Sequence, residues 1–258
     1  MKTWKVLLEY DGSKYRGWQE QLNARTVQGE LRAAAERVFG GKVEIQASGR
    51  TDAGVHASGQ VAHMRVPTRA RLDGERIARE LNELLPAEIA ILSVEPAPAD
   101  FHARHDATKR TYVYQITTRK SAFSKRYVWW IKEPLDTALM AQAAAMLKGR
   151  HDFICFRAAD PARPGESTLV VVDSAGIETE EGMVVFRISA SHFLWRMVRR
   201  LVGVLVKLGT HEITIADWEQ LLAAKCERRL DVAAWTAPSS GLFLENVEYP
   251  QHRPRKHS

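Results

Sequence analysis

The first hundred residues switch hydrophobic period in a fixed order, and that order limits the folds open to the chain. Trp4, Val6, Leu8 and Tyr10 alternate with Lys5, Leu7 and Glu9, which predicts a strand with one apolar face. Thr26 is placed to cap a helix over residues 27–39, closed by Gly40-Gly41. Residues 42–47 read as a strand, and residues 59–66 as its returning partner. A second helix over 74–85 has Asp73 before it, Pro86 after it, and Ile77, Leu81 and Leu84 on its inner face. Residues 90–94 complete a β-α-β-β-α-β order.

Glu95-Pro96-Ala97-Pro98-Ala99-Asp100 is the natural boundary, since two prolines interrupt either regular element. The expected organisation is two α+β halves, residues 1–100 and 101–258. In the second half, Tyr112, Tyr114 and Ile116 share a face of a strand over 111–117. A helix over 137–148 is expected between Asp136 and Gly149, and paired strands over 170–177 and 183–190. A helix lies between His192 and Leu208, with Met197, Leu201, Val204 and Leu208 on one stripe and Arg196, Arg200 and Lys207 near another. Thr214 and Asp217 pair as a cap for a helix through Leu222, and a strand over 242–249 comes last. Helices mixed with mostly antiparallel strands make the fold class α+β. No sequence repeat relates the halves.

No apolar run approaches the roughly 20 residues of a membrane span. The opening residues, with Lys5, Glu9 and Asp11, read as a strand rather than a signal peptide. Cys155 and Cys226 lie in unlike contexts; a disulfide between them stays open, but two buried or free thiols of a soluble intracellular protein are the expectation. The net charge of +6 is compatible with a polyanionic partner. Its distribution says more. Basic residues gather at Arg65, Arg69, Arg71, Arg76 and Arg79, and again from Arg104 through Lys109, Arg110, Arg119, Lys120, Lys125 and Arg126. Further groups are Arg196, Arg199, Arg200 and Lys207, then Arg253, Arg255 and Lys256. With tyrosine and tryptophan interleaved, these clusters point to nucleic acid.

The chemistry concentrates in Gly49-Arg50-Thr51-Asp52-Ala53-Gly54. One carboxylate stands in a short turn between glycines, and an arginine two positions earlier favours its charged form. Such a group serves as nucleophile or base; the structural alternative is an Asx turn with glycines at positive φ. Continued to Met64, the segment GRTDAGVHASGQVAHM closely resembles the active-site motif of the tRNA pseudouridine synthase A family. Blocks similar to that family follow its order: YDGSKYRGWQ from Tyr10, NELLP from Asn82, FHAR from Phe101, RTYVY from Arg110, HDFICF from His151, FLWRMVRRLVG from Phe193 and APSSGLFL from Ala237.

That resemblance implies two similar halves joined into one continuous sheet around a central basic cleft. It implies an isomerase that converts uridine to pseudouridine at positions 38–40 of the tRNA anticodon arm, without cofactor or metal, in the cytoplasm, as a homodimer. By match to the motif, Asp52 is the catalytic aspartate, and Arg199 pairs with its carboxylate. Arg50 helps hold the target nucleotide out of the helix, and Tyr112 lies against the base. Attack at C1′, addition at C6 and deprotonation at C2′ all stay open for Asp52.

The absence of a G-x-x-x-x-G-K-[ST] loop and of G-x-G-x-x-G agrees with a reaction that needs neither ATP nor a redox cofactor. Asp100, His102, His105 and Asp106 form a cluster, but their spacing matches no zinc pattern. Tyr15, Trp18 and Trp195 are candidate stacking surfaces, and Arg196 and Arg200 candidate phosphate contacts. Some positions depart from the family. Trp195 and Arg196 stand where histidine is frequent, His105 where an aromatic is usual, and 158–172 lacks a Thr-x-Arg. Two competing readings are a non-catalytic RNA-binding protein on the same scaffold and a hydrolase built on Ser58 or Ser191 with a histidine. The second lacks a G-x-S-x-G elbow.

Overall fold

A computed structural model describes residues 1–66, 73–159 and 165–250. Arg69, Arg71, Arg253, Arg255 and Lys256 of the basic clusters lie outside the described residues. The first half holds β1 (Lys2–Tyr10), α1 (Val27–Phe39), β2 (Glu44–Ala47), β3 (His56–Val66), α2 (Gly74–Leu84) and β4 (Ile89–Ala97), in the expected order. Local chemistry explains the close match of the helix ends. Thr26 Oγ1 accepts the N–H of Gly29 at 3.2 Å, and Gly40 closes α1 in the left-handed conformation. Asp73 Oδ1 accepts the N–H of Arg76 at 2.7 Å to open α2, in which Ile77 and Leu81 are buried and Leu84 is only half-buried.

The proline stretch is less of a break than its composition implies. Strand β4 continues through Pro96, paired with Trp4, to Ala97. It tolerates the proline because β4 is an edge strand whose one neighbour is β1.

The second half holds β5 (Lys109–Thr117), β6 (Trp129–Trp130), α3 (Thr137–Ala145), β7 (Gly149–Asp152), β8 (Leu169–Glu180), β9 (Met183–Ala190), α4 (Met197–Gly209), α5 (Ile215–Leu222) and β10 (Leu242–Glu248). Helix α3 is shorter than its apolar pattern predicts, because Met146 and Leu147 donate three residues back and tighten the last turn. The full capping box of Thr214 and Asp217 opens α5. Strands β6 and β7, of two and four residues, are too short to carry a readable period.

Among the described residues, ten strands form one sheet in the order β4-β1-β3-β10-β5-β9-β8-β7, with β2 beside β3 and β6 beside β5. The final strand is the seam. β10 pairs parallel with β3 and antiparallel with β5, so the last strand of the chain joins its two halves. On one side, Trp4, Val6 and Leu8 pack with Leu31, Ile77 and Leu81; on the other, Phe186 and Ile188 pack with Leu201, Leu205 and Trp218. Half-buried Tyr112 touches both cores. Among the described residues, no helix is long and apolar enough to cross a membrane.

Cys155 and Cys226 are joined in a disulfide, against the expectation of free thiols. The 3-10 turn Ile154–Phe156 and helix α5 both pack on α4, which brings the two Cα atoms to 5.3 Å although 71 residues separate them. Closing so long a loop restricts the unfolded chain, so reduction or Cys226→Ser is expected to cost about 2–4 kcal/mol. Thermal melts with and without dithiothreitol test this, with a fall in Tm of roughly 5–15 °C expected for the wild type. Cys226→Ser should be insensitive to the reductant.

Candidate active site

The turn from Ser48 to Val55 is held from several sides. Ser48 Oγ donates to Gln60 Oε1 at 2.7 Å, Gln60 Nε2 donates to the Gly49 carbonyl at 3.1 Å, and the Tyr10 and Thr51 hydroxyls meet at 2.8 Å. The Trp18 N–H reaches the Thr51 carbonyl at 3.1 Å. Gly17 permits this approach: its φ is +96°, and a Cβ there would lie 2.6 Å from the Thr51 oxygen. Tyr15 and Trp18, candidate stacking surfaces by sequence, are instead buried in the first core and brace this turn.

Opposite the turn stands the start of α4. The helix begins five residues later than the segment boundary at His192, because Arg196 adopts φ +59° and turns the chain immediately before Met197. Residues 192–196 therefore line a cleft instead of adding a helical turn. Arg199, in the first turn of α4, places Nη1 3.3 Å from Asp52 Oδ2 and donates through Nε to the Ala237 carbonyl at 2.7 Å. The segment carrying Ala237 lies this close because residue 203 is glycine; a Cβ there would fall 1.8 Å from the Trp235 oxygen. Trp195 Nε1 donates to Asp52 Oδ1 at 3.1 Å. Both carboxylate oxygens are thus held by donors more than 140 residues away in sequence.

This carboxylate opens into a cleft of about 540 Å³ between the halves. Its described lining includes six arginines (Arg16, Arg50, Arg104, Arg110, Arg196 and Arg199) and two carboxylates, Asp52 and Glu166. The side chain of Asp52 keeps 28% exposure while that of Arg199 keeps 16%, so the acid is presented and its partner is recessed. Arg50 is exposed at the cleft and makes no ion pair among the described residues. Tyr112 also lines the cleft, edge-on to Phe193 with ring centres 5.0 Å apart. Burial, followed by the nearby Tyr10 and Asp52, pushes its phenol well above the usual range. The O–H stays protonated and available to donate.

All four sequence-derived residues, Asp52, Arg199, Tyr112 and Arg50, line this one cleft. Other expectations change role. Arg110 spends its guanidinium on four carbonyls, those of Ala107, Ser191, Ser48 and Arg104, and so ties both halves to the cleft floor instead of reaching for phosphate. Arg200 is half-buried and donates to the Arg157 carbonyl. Tyr114 is structural, its O–H on the Pro238 carbonyl at 2.8 Å. His102 Nδ1 accepts N–H groups from Arg104 and His105, and Asp106 Oδ2 accepts that of His102, so this cluster braces its own turn. Among the described residues no group of three or more such side chains is placed to hold a metal ion. Ser58 is exposed on β3, and Ser191 meets its own neighbour His192 at 3.1 Å, which provides no third group for a hydrolytic triad.

A paired carboxylate at the centre of an arginine-lined cleft is the geometry that the motif resemblance predicts. Comparison with known proteins agrees: a tRNA pseudouridine synthase family model matches residues 7–106 and 143–250. The chain belongs to the tRNA pseudouridine synthase family.

Its relatives in that family match along almost their whole length. A tRNA pseudouridine synthase A from Moorella thermoacetica is 44% identical over 255 residues, covering 96% of this chain and all of the relative. The enzyme of the same name from Bartonella tribocorum is 40% identical over 254 residues, with 96% and 100% coverage. That from Thermotoga maritima is 37% identical over 249 residues, with 96% and 99% coverage. Trp195 is the cleft residue that sequence reasoning placed least well. The sequence offers it as a candidate stacking surface where the family often has histidine, and its bond to Asp52 becomes visible once the turn at Arg196 is known.

Proposed function

We propose that the chain isomerises uridine to pseudouridine in tRNA, with Asp52 as the reacting carboxylate. The observation that carries this reading is the Asp52 carboxylate, paired with Arg199 yet exposed to an arginine-lined cleft. In the reaction the N1–C1′ bond breaks, a C5–C1′ bond forms, and the C5 hydrogen leaves as a proton while N1 gains one. Atoms and electrons balance within the substrate, so no cofactor is consumed. A uridine stacked in a stem must first be flipped, at a cost of a few kcal/mol. Arginine contacts to phosphate offset that cost and make binding sensitive to salt. Arg50 holds the extruded nucleotide and Tyr112 lies against its base, both positions being on the cleft wall.

The finer assignments rest on the motif resemblance. They are the anticodon positions 38–40, a homodimer that offers one tRNA a wider basic surface, and a cytoplasmic location shared with that substrate. A division into halves 1–100 and 101–258 is supported by the two apolar cores, with Ala103, Leu244 and Val247 joining the first of them and Val55 the second.

The test is tritium release from tRNA carrying [5-³H]uridine, followed by mapping of the modified positions. Release confined to positions 38–40 is expected. Release from other uridines would make this a synthase of different range, and RNA binding without release would make it a non-catalytic scaffold.

A further inference from the structure

An aspartate carboxylate rotates readily about its last torsion, which has broad, roughly two-fold wells. A single donor on one oxygen therefore fixes a distance but not the plane of the group. Arg199 contributes one such contact, from Nη1 to Oδ2. The second comes from Trp195, whose indole N–H reaches Oδ1 at 3.1 Å. The indole offers one donor and no acceptor, so its orientation is unambiguous.

Trp195 is itself held in place. Its carbonyl accepts the N–H of Ala158 at 3.0 Å, the Arg196 guanidinium lies 5.0 Å from its ring centre, and the φ of +59° at Arg196 turns the chain just after it. The residue remains 39% exposed. Leaving so large an apolar surface in water forfeits burial free energy. A hydrogen bond to a charged acceptor compensates, and that acceptor lies across the cleft. Both donors belong to the five-residue stretch from Trp195 to Arg199, so one short segment holds both oxygens of the carboxylate.

We propose that Trp195 is a positioning residue for Asp52, its N–H fixing Oδ1 and thereby the plane in which the carboxylate meets the target nucleotide. The proposal rests on the reading of Asp52 as the reacting group. Misalignment of a reacting group raises the barrier with little effect on how tightly substrate binds.

Trp195→Phe removes the N–H and keeps an aromatic ring. Single-turnover tritium release at saturating tRNA is expected to slow by about 10–100-fold, the worth of a hydrogen bond to a charged group. KM should stay within about threefold. A second readout does not depend on activity. The chain has seven tryptophans; in ¹H–¹⁵N spectra the indole signal missing from Trp195→Phe is expected to move upfield in Asp52→Ala. Wild-type kcat in a folded Trp195→Phe, a raised KM with unchanged kcat, or an indole signal indifferent to Asp52→Ala would each overturn the proposal. An active Asp52→Asn would overturn the underlying reading of the site. An inactive Asp52→Asn beside a fully active Trp195→Phe would remove only the role given to Trp195.

Discussion

Asp52→Asn is expected to abolish tritium release, with a fall of at least about 10⁴-fold in the single-turnover rate, the scale on which loss of a reacting group is felt. The substitution is close to isosteric, so the loss would be chemical. An asparagine keeps an oxygen for the Trp195 N–H, but sets its amide nitrogen against Arg199 Nη1, where the wild type has Oδ2. Two donors then face one another, a local cost of order 1 kcal/mol. The turn itself does not depend on the carboxylate: it is fastened by the Trp18 N–H on Thr51, the Gln60 amide on Gly49 and the Tyr10–Thr51 pair. Thermal melts should therefore superimpose within a few degrees, and binding to unmodified tRNA should persist. A folded Asp52→Asn that still released tritium would show that another group reacts.

Where the sequence was legible, the determinants were local. The caps of α1 and α5 are satisfied within three residues of the capping side chain, so the residues that predict them are the ones that form them. The same holds for the alternating faces of β1 and the proline after α2. What was not legible depends on chain segments far apart. Nothing in residues 242–248 announces that β10 will lie parallel to β3, since a strand's partners are not written in its own period. Pro96 reads as a breaker until β4 is known to be an edge.

Cys155 and Cys226 read as separate thiols until both neighbouring segments are seen on α4. Arg110 reads as one more cation in a basic run, and only the fold shows four carbonyls converging on it. The pairing of Asp52 with Arg199 is the instructive intermediate case. Charge chemistry says that a partly buried carboxylate wants a cation, but the choice of Arg199 over Arg196 or Arg200 came from the motif. The structure separates the three physically. Arg196 lies on the Trp195 ring, Arg200 is spent on Arg157, and Arg199 alone among them reaches Asp52.

That separation makes Arg199 the second site of large effect. Arg199→Leu leaves a charged carboxylate with its cation gone and the Ala237 carbonyl without its donor. Removal of one member of a preorganised electrostatic pair typically slows a reaction by about 10²–10³-fold, and that loss is expected here in kcat at saturating tRNA. Arg199→Lys is the more discriminating variant. The guanidinium serves Asp52 through Nη1 and Ala237 through Nε at once, from two nitrogens at fixed separation. A lysine ammonium is a single point of charge on a flexible stem and cannot hold both positions. It restores the charge but not the geometry, so an intermediate loss of roughly 10-fold is expected. If position alone mattered, Lys and Leu would be equally impaired; if charge alone mattered, Lys would match the wild type. An ordering of wild type above Lys above Leu, with KM for tRNA little changed, is the outcome that assigns Arg199 to the carboxylate and not to the phosphate backbone. A variant that bound tRNA more weakly and reacted at the wild-type rate once saturated would return Arg199 to the ordinary work of its neighbours.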